Sequence, residues 1–145
     1  MLADIDKEVR AIELVKTDGS QVAATLTFWT ESPSDPKLVE LYLETPEAHY
    51  SVVERDLWAA LTGLREILEP QGLIPVVYGA SRNANPSDKS RDSGFGMFVY
   101  RLTLGKLAAR EDLAHIFDTG PDVEPSQIVD QEAFAQQWFD SLNTG

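Results

Sequence analysis

The residues best suited to bind an anion lie in one long polar segment, residues 79–96. This segment concentrates hydroxyl and amide groups around three cations. Guanidinium groups and turn amides bind carboxylates and phosphates through paired hydrogen bonds. Loops of this length inside a compact domain are usually functional or disordered. The segment therefore predicts an anion or small-ligand site, with candidate binding residues Tyr78, Arg82, Asn83, Lys89, Ser90, Arg91 and Tyr100.

The same segment also has a purely structural interpretation. Asp88 and Asp92 stand next to the cations and can pair with them locally, which would leave a solvated connection between two strands. Neither Gly-x-x-x-x-Gly-Lys-Ser/Thr nor Gly-x-Gly-x-x-Gly occurs, so a nucleotide phosphate loop is not indicated. The two interpretations stay open at this point.

A second candidate surface is acidic. From residue 111 to the end there are eight acids and no Lys or Arg, whereas residues 80–110 carry a net charge of +4. A base-free acidic surface can steer a cationic protein towards it. The candidate partner-binding residues are Asp118, Asp122, Glu124 and Asp130, with Trp29 as an exposed aromatic anchor. Two plainer alternatives are that the acidic end folds back on the positive segment and that it is a solvated helix face.

Motifs for catalysis or metal binding are weak or missing. The two histidines, His49 and His115, lack His-x-x-x-His spacing, and the chain contains no cysteine and no Gly-x-Ser-x-Gly elbow. The Asp-Thr-Gly tripeptide at Asp118 has no matching second aspartate motif, and the acids around it lack the order of a calcium loop. We therefore predict no catalytic residue, no metal site and no cofactor, and an enzyme is the less favoured class.

The elements that must position these residues begin with a hairpin. Asp18-Gly19 is typical of a tight turn, and Val22, Ala24, Leu26 and Phe28 alternate after it. A third strand is predicted over residues 38–43, with Glu40 and Tyr42 on its wetter side. Further strands are predicted over residues 73–78 and 97–104.

Helices are predicted in three places. Ser51 and Glu54 fit a capping box, and leucines at helical spacing follow it until Pro70 and Gly72. A short helix is predicted over residues 111–117, and a last one from Pro125 onward. The order β-β-β-α-β-β-α-α indicates an α+β fold: an antiparallel sheet of about five strands with helices mainly on one face, in a single domain spanning residues 1–145.

The amino-acid composition limits the classes of partner and the location that are expected. The net charge is −12, from 24 acidic and 12 basic residues, so nucleic acid and anionic lipid are expected to be repelled. No apolar run approaches the ~20 residues of a membrane span, and the first residues do not resemble a signal peptide. Together with the lack of cysteine, this favours a cytoplasmic protein of bacterial type.

Two functions are carried forward. The leading hypothesis is a protein-binding module of immunity or inhibitor type that docks a cationic partner. The alternative is a domain that binds a small molecule or anion, with or without catalysis, centred on residues 79–96. A dimerising scaffold that uses residues 38–43 as an edge strand is a third, and the sequence leaves the oligomeric state open.

Overall fold

The computed structural model describes residues 7–86, 91–92 and 94–143. Its largest element is a curled five-stranded antiparallel sheet in the order β4-β3-β2-β1-β5. The strands are β1 (Lys7–Lys16), β2 (Gln21–Trp29), β3 (Val39–Glu44), β4 (His49–Glu54) and β5 (Leu73–Pro75). The predicted hairpin is the β1–β2 pair, and Gly19 supplies the positive φ of 87° that its turn requires.

A second antiparallel sheet follows in the order β6-β7-β8. It consists of β6 (Ala84–Pro86), β7 (Phe98–Arg101) and β8 (Leu113–His115). The described residues contain two α-helices, α1 (Leu57–Leu68) and α2 (Ile128–Ser141). The α+β class and the five-stranded antiparallel sheet are thus confirmed.

One hydrophobic core joins the two sheets. Its residues in the large sheet occupy alternate positions along β1, β2 and β3, because successive side chains of a strand point to opposite faces. α1 covers this inner face with a stripe of buried residues: Leu57, Ala60, Leu61, Leu64 and Leu68. Val99, Ile116 and Phe117 extend the same core beneath the second sheet. Phe28 connects the two parts, since its ring centroid lies 4.9 Å from that of Phe117.

The predicted start of α1 is wrong. Ser51 and Glu54 belong to β4, which pairs with β3 from Val39↔Glu54 to Glu44↔His49. The helix instead begins after Asp56, whose Oδ1 accepts a hydrogen bond from the Ala59 amide at 2.8 Å. Tertiary pairing with β3 overrides a local capping pattern, because it stabilises a whole strand rather than two terminal amides.

Other boundaries also differ from the predictions. The strand predicted over residues 73–78 is limited to β5, and Tyr78–Ala80 forms a 3₁₀ turn. The strand predicted over 97–104 is the shorter β7, and it lies in the second sheet. The helix predicted over 111–117 is a 3₁₀ turn, Arg110–Asp112, followed by β8, and Ile116 and Phe117 are buried directly after it.

The helices do not both pack on the large sheet. α1 contacts β3, β4 and β5, whereas α2 contacts β6 and α1. A buried arginine joins the two helices: Arg65 Nη1 donates to Gln131 Oε1 at 2.7 Å, and Arg65 Nη2 donates to the Ser126 carbonyl at 2.9 Å. Gln131 Nε2 in turn donates to the carbonyls of Gly79 and Ser81. Neither described helix has the length and apolar character that crossing a membrane demands.

Candidate functional site

Three of the predicted partner-binding acids are already engaged within the chain. Asp118 pairs with Arg10 of β1, and Glu124 Oε2 accepts from Arg82 Nε at 3.2 Å. Asp122 Oδ2 lies 3.4 Å from Arg101 Nη1. The acidic end therefore folds back on cations, two of which belong to the positive segment 80–110. Each of these surface pairs contributes on the order of 1 kcal/mol or less.

Asp122 also joins two of the residues predicted from sequence. It accepts a hydrogen bond from the Tyr78 hydroxyl at 2.6 Å, which raises the pKa of Tyr78 and lowers that of Asp122. The Arg101 guanidinium lies over the Tyr78 ring, 5.6 Å from its centroid. Tyr78 is therefore a structural contact of the acidic segment.

Arg82 and Asn83 likewise serve local contacts. The Arg82 guanidinium lies 4.6 Å from the centroid of the Phe134 ring, in addition to its pairing with Glu124. Asn83 Oδ1 accepts from the Ser81 hydroxyl, and Asn83 Nδ2 donates to the Leu102 carbonyl. Both residues thus connect β6 to its surroundings.

The remaining predicted ligand-binding residues are dispersed. Tyr100 is half-buried in β7 opposite Asn85. Arg91 Nε donates to Asp56 Oδ2 at 2.9 Å, at the start of α1. Lys89 and Ser90 lie outside the described residues. The structure therefore gives Arg82 and Arg91 different partners on different elements.

Asp130 and Trp29 complete the predicted partner residues. Asp130 is exposed in the first turn of α2, where a carboxylate favourably opposes the helix dipole. Trp29 is half-buried at the end of β2, on the side of the sheet opposite α1. It belongs to a broader surface that only the topology reveals.

We call this surface the open face. It comprises the outward side chains of β1 to β4, in three cross-strand rows that follow from the register. The rows are Lys7–Trp29–Glu40–Val53, Val9–Thr27–Tyr42–Ser51 and Ala11–Thr25–Glu44–His49, with Glu13 and Ala23 beyond them. Within the described ranges neither helix lies on this face, and Val9 is 56% exposed.

A shallow groove crosses the open face. Its floor is made of small side chains, Ala11, Ala23 and Thr25, while Glu13 and Glu44 line it. The groove has a volume of about 540 Å³. Small residues at neighbouring strand positions leave a depression because the sheet spacing is fixed and only side chains can fill it. The result is an exposed recess that carries two carboxylates.

The open face also carries aromatic and polar groups outside the groove. The Tyr42 and His49 rings lie 5.8 Å apart, and both are on the open face. Glu40 Oε1 accepts from the Ser32 hydroxyl at 2.7 Å, which holds that carboxylate in place. The face carries the three carboxylates Glu13, Glu40 and Glu44 against the single cation Lys7, so its charge is negative at neutral pH.

Sequence reasoning missed most of this site. The outward side chains of β1 were not singled out from the sequence, and Glu13 was not distinguished from the other acids. Only the register, which pairs Ala11 with Thr25 and Thr25 with Glu44, brings the groove residues together. The sequence did predict that the side carrying Glu40 and Tyr42 is the wetter one, but it did not predict the groove.

Metal chemistry has no support from these side chains. Among the described residues, no group of three or more His, Asp or Glu side chains is placed to hold a metal ion. No protein-family model matches the chain, and a search of curated proteins finds no similar sequence. The function is therefore inferred from the geometry and charge of this chain.

Proposed function

We propose that this protein is a binding module that docks a cationic protein on the open face of its sheet, in the manner of an inhibitor or immunity protein. The observation that carries the proposal is the groove, whose floor of Ala11, Ala23 and Thr25 is exposed between Glu13 and Glu44. A lysine or arginine side chain of the partner would lie along this floor and meet both carboxylates.

The composition of the rest of the face supports the same occupant. Interfaces are enriched in aromatic residues and arginine at their centres, and the open face carries Tyr42 in the row next to the groove and Trp29 one row further on. An arginine from the partner fits this setting because it can pair with carboxylates and stack on rings. The apolar Val9 and Val53 are also exposed here and offer area that binding would remove from water.

The overall charge favours the same class of partner. At −12, the molecule attracts basic proteins over distances comparable to the Debye length, about 8 Å at physiological salt. Asp118, Asp122 and Glu124 are neutralised by their internal pairs, so they contribute less to docking than the sequence alone suggests. The proposed interface therefore lies on the sheet, with Trp29 as its predicted aromatic member.

The proposal is tested with a charge-neutral variant of the groove. The wild-type chain, the double variant Glu13→Gln/Glu44→Gln and a control, Glu66→Gln/Glu111→Gln, are used to capture partners from the source cells at low salt. The control residues are exposed but lie away from the open face. We expect a basic protein that wild type and control retain, that high salt releases, and that binds the groove variant about tenfold more weakly when purified.

Two results would contradict this function. One is that no basic protein is released by raising the salt concentration, since docking driven by opposite charges weakens on screening. The other is that the purified partner binds the groove variant and the control variant with the same affinity. Association rates measured by biolayer interferometry at low and physiological salt separate steering from short-range contacts.

A further inference from the structure

A second surface has the opposite charge. Three of the chain's 12 basic residues line one cleft, which we call the basic cleft: Lys37, Arg55 and Arg91, together with Asp92 and Phe95. It is formed where the β2–β3 connection and the start of α1 meet Arg91, Asp92 and Phe95. Its volume is about 350 Å³, and an adjoining recess of about 500 Å³ is lined by Arg55, Asp56, Arg91 and Asp92. Small-ligand sites typically occupy such volumes.

The acid nearest these cations is already occupied. Asp56 is 4% exposed, and its two carboxylate oxygens accept from the Ala59 amide and from Arg91 Nε. The Arg91 side chain keeps about a quarter of its surface exposed, and Arg55 and Lys37 are exposed residues. Asp56 thus orients Arg91 at the cleft, and Asp92 is the exposed acid among the lining residues. Three cations against the carboxylates of Asp56 and Asp92 give the lining of the cleft and its adjoining recess a net charge of +1, in a chain of net charge −12.

A strained aromatic residue lies on the same cleft. Phe95 has a φ of 59°, in the left-handed region that bulky side chains rarely adopt, and its side chain is 47% exposed. Its carbonyl accepts from the Leu57 amide at 2.8 Å, at the start of α1. Gly or Asn would adopt this backbone conformation with less strain. Because the Phe95 ring is exposed, it also contributes little stability through burial. Such outliers concentrate at binding sites.

From these observations we propose that the basic cleft binds a small anion that combines a planar ring with a carboxylate or phosphate. Arg55 and Arg91 would bind the oxyanion with paired hydrogen bonds, and Lys37 would add a third positive charge. The Phe95 ring would stack on the planar part of the ligand. This site is separate from the open face and does not depend on protein docking there.

The first test uses adenosine monophosphate as the ring-bearing anion and inorganic phosphate as the anion without a ring. Isothermal titration calorimetry on the full chain is expected to show binding of the nucleotide at least tenfold tighter than that of phosphate. Arg55→Gln is expected to weaken it at least tenfold, while Lys106→Gln, an exposed cation elsewhere, leaves it unchanged. Arg55 is the preferred variant because it is exposed, whereas losing Arg91 would leave Asp56 buried without its cation.

The second test separates a binding role of Phe95 from a packing role. Phe95→Asn removes the ring but suits the left-handed backbone, so the thermal midpoint is expected to stay the same or rise. Nucleotide binding by this variant is expected to weaken at least tenfold. Four results would overturn the proposal. One is a clear fall in the thermal midpoint of Phe95→Asn, and another is phosphate binding as tightly as the nucleotide. The others are nucleotide binding that Arg55→Gln leaves unchanged, and no binding of either probe at millimolar concentration. Glu13→Gln/Glu44→Gln should not change nucleotide affinity, so the two proposed functions fail independently.

Discussion

At the residue scale, His115 occupies an unusual position for a titratable group. Its ring stands among three phenylalanines, Phe28, Phe98 and Phe117, with centroid distances of 5.8–6.0 Å. Its Nδ1 accepts from the Phe117 amide at 3.1 Å, which requires the neutral form of that nitrogen. Burial is the main cause that lowers the pKa of His115, and the positive charge of Arg10 lowers it further.

This environment predicts a specific loss of stability in mild acid. Asp118 and Glu8 oppose the shift only in part, so the folded pKa lies below the ordinary value of 6.5. As the pH falls below about 6.5, the unfolded chain binds a proton more readily than the folded chain does. The free energy of unfolding should therefore decrease from about pH 7.5 to about pH 5.5. Urea denaturation at the two pH values measures it.

The matched variant is His115→Asn, whose side-chain oxygen can replace Nδ1 as the acceptor without titrating. Its stability is expected to change less over the same pH interval than that of the wild type. If both proteins lose the same amount, other groups cause the acid sensitivity and the assignment to His115 is wrong.

At the element scale, α2 is held in place by a buried polar network as well as by its apolar face. Phe134 and Gln131 are its buried residues, and Gln131 shares three hydrogen bonds with Arg65 and the carbonyls of Gly79 and Ser81. Burial also lowers the pKa of Arg65, because the charged form loses hydration and no carboxylate pairs with it directly among the described residues. This network depends on every partner being present.

Gln131→Ala is therefore expected to destabilise the protein by about 3 kcal/mol, since it removes three buried hydrogen bonds, one of which is made by the charged Arg65 guanidinium. Gln137→Ala, on the exposed side of the same helix, is expected to change stability by less than about 0.5 kcal/mol. Chemical denaturation monitored by tryptophan fluorescence compares the two. Equal effects would show that helix propensity, and not the buried network, determines the result.

Some elements of the fold can be predicted from sequence patterns alone. The β1–β2 hairpin and the leucine stripe of α1 were predictable because turn chemistry and periodicity are local properties. Ser51–Glu54 was mistaken for a helix start because its side chains also satisfy a capping box, and the pairing with β3 that decides the matter is not local. The same limit applies to Arg65 and Gln131, which are 66 residues apart and meet only in the fold.

At the scale of the whole molecule, charge is strongly uneven. The ion pairs of Arg10, Arg82 and Arg101 neutralise part of the acidic end, the open face stays negative, and the basic cleft is positive. The sequence indicated both a cationic and an acidic region. It did not indicate that Arg82 pairs with Glu124 while Arg91 pairs with Asp56, because those contacts depend on how the two sheets pack.

The excess of negative charge predicts a response to salt. Raising NaCl from about 10 mM to about 150 mM shortens the Debye length from about 30 Å to about 8 Å and screens repulsion among the unpaired carboxylates. The surface ion pairs of Arg10, Arg82 and Arg101 weaken as well, but each contributes about 1 kcal/mol or less. We expect the thermal midpoint to rise over this range. A fall in the thermal midpoint would mean that the ion pairs stabilise the protein by more than the repulsion arising from its net charge of −12 destabilises it.

The position of β5 has a consequence for how the chain is made. Because β5 pairs with β1, the large sheet and α1 are complete once residue 75 has been synthesised. At that stage the Phe28 ring lacks its contacts with the rings of His115 and Phe117, which are still to be synthesised. The open face would thus form during synthesis, before the core on the inner side of the sheet is complete. Until β8 is added, the nascent chain would expose apolar surface of the kind that chaperones recognise.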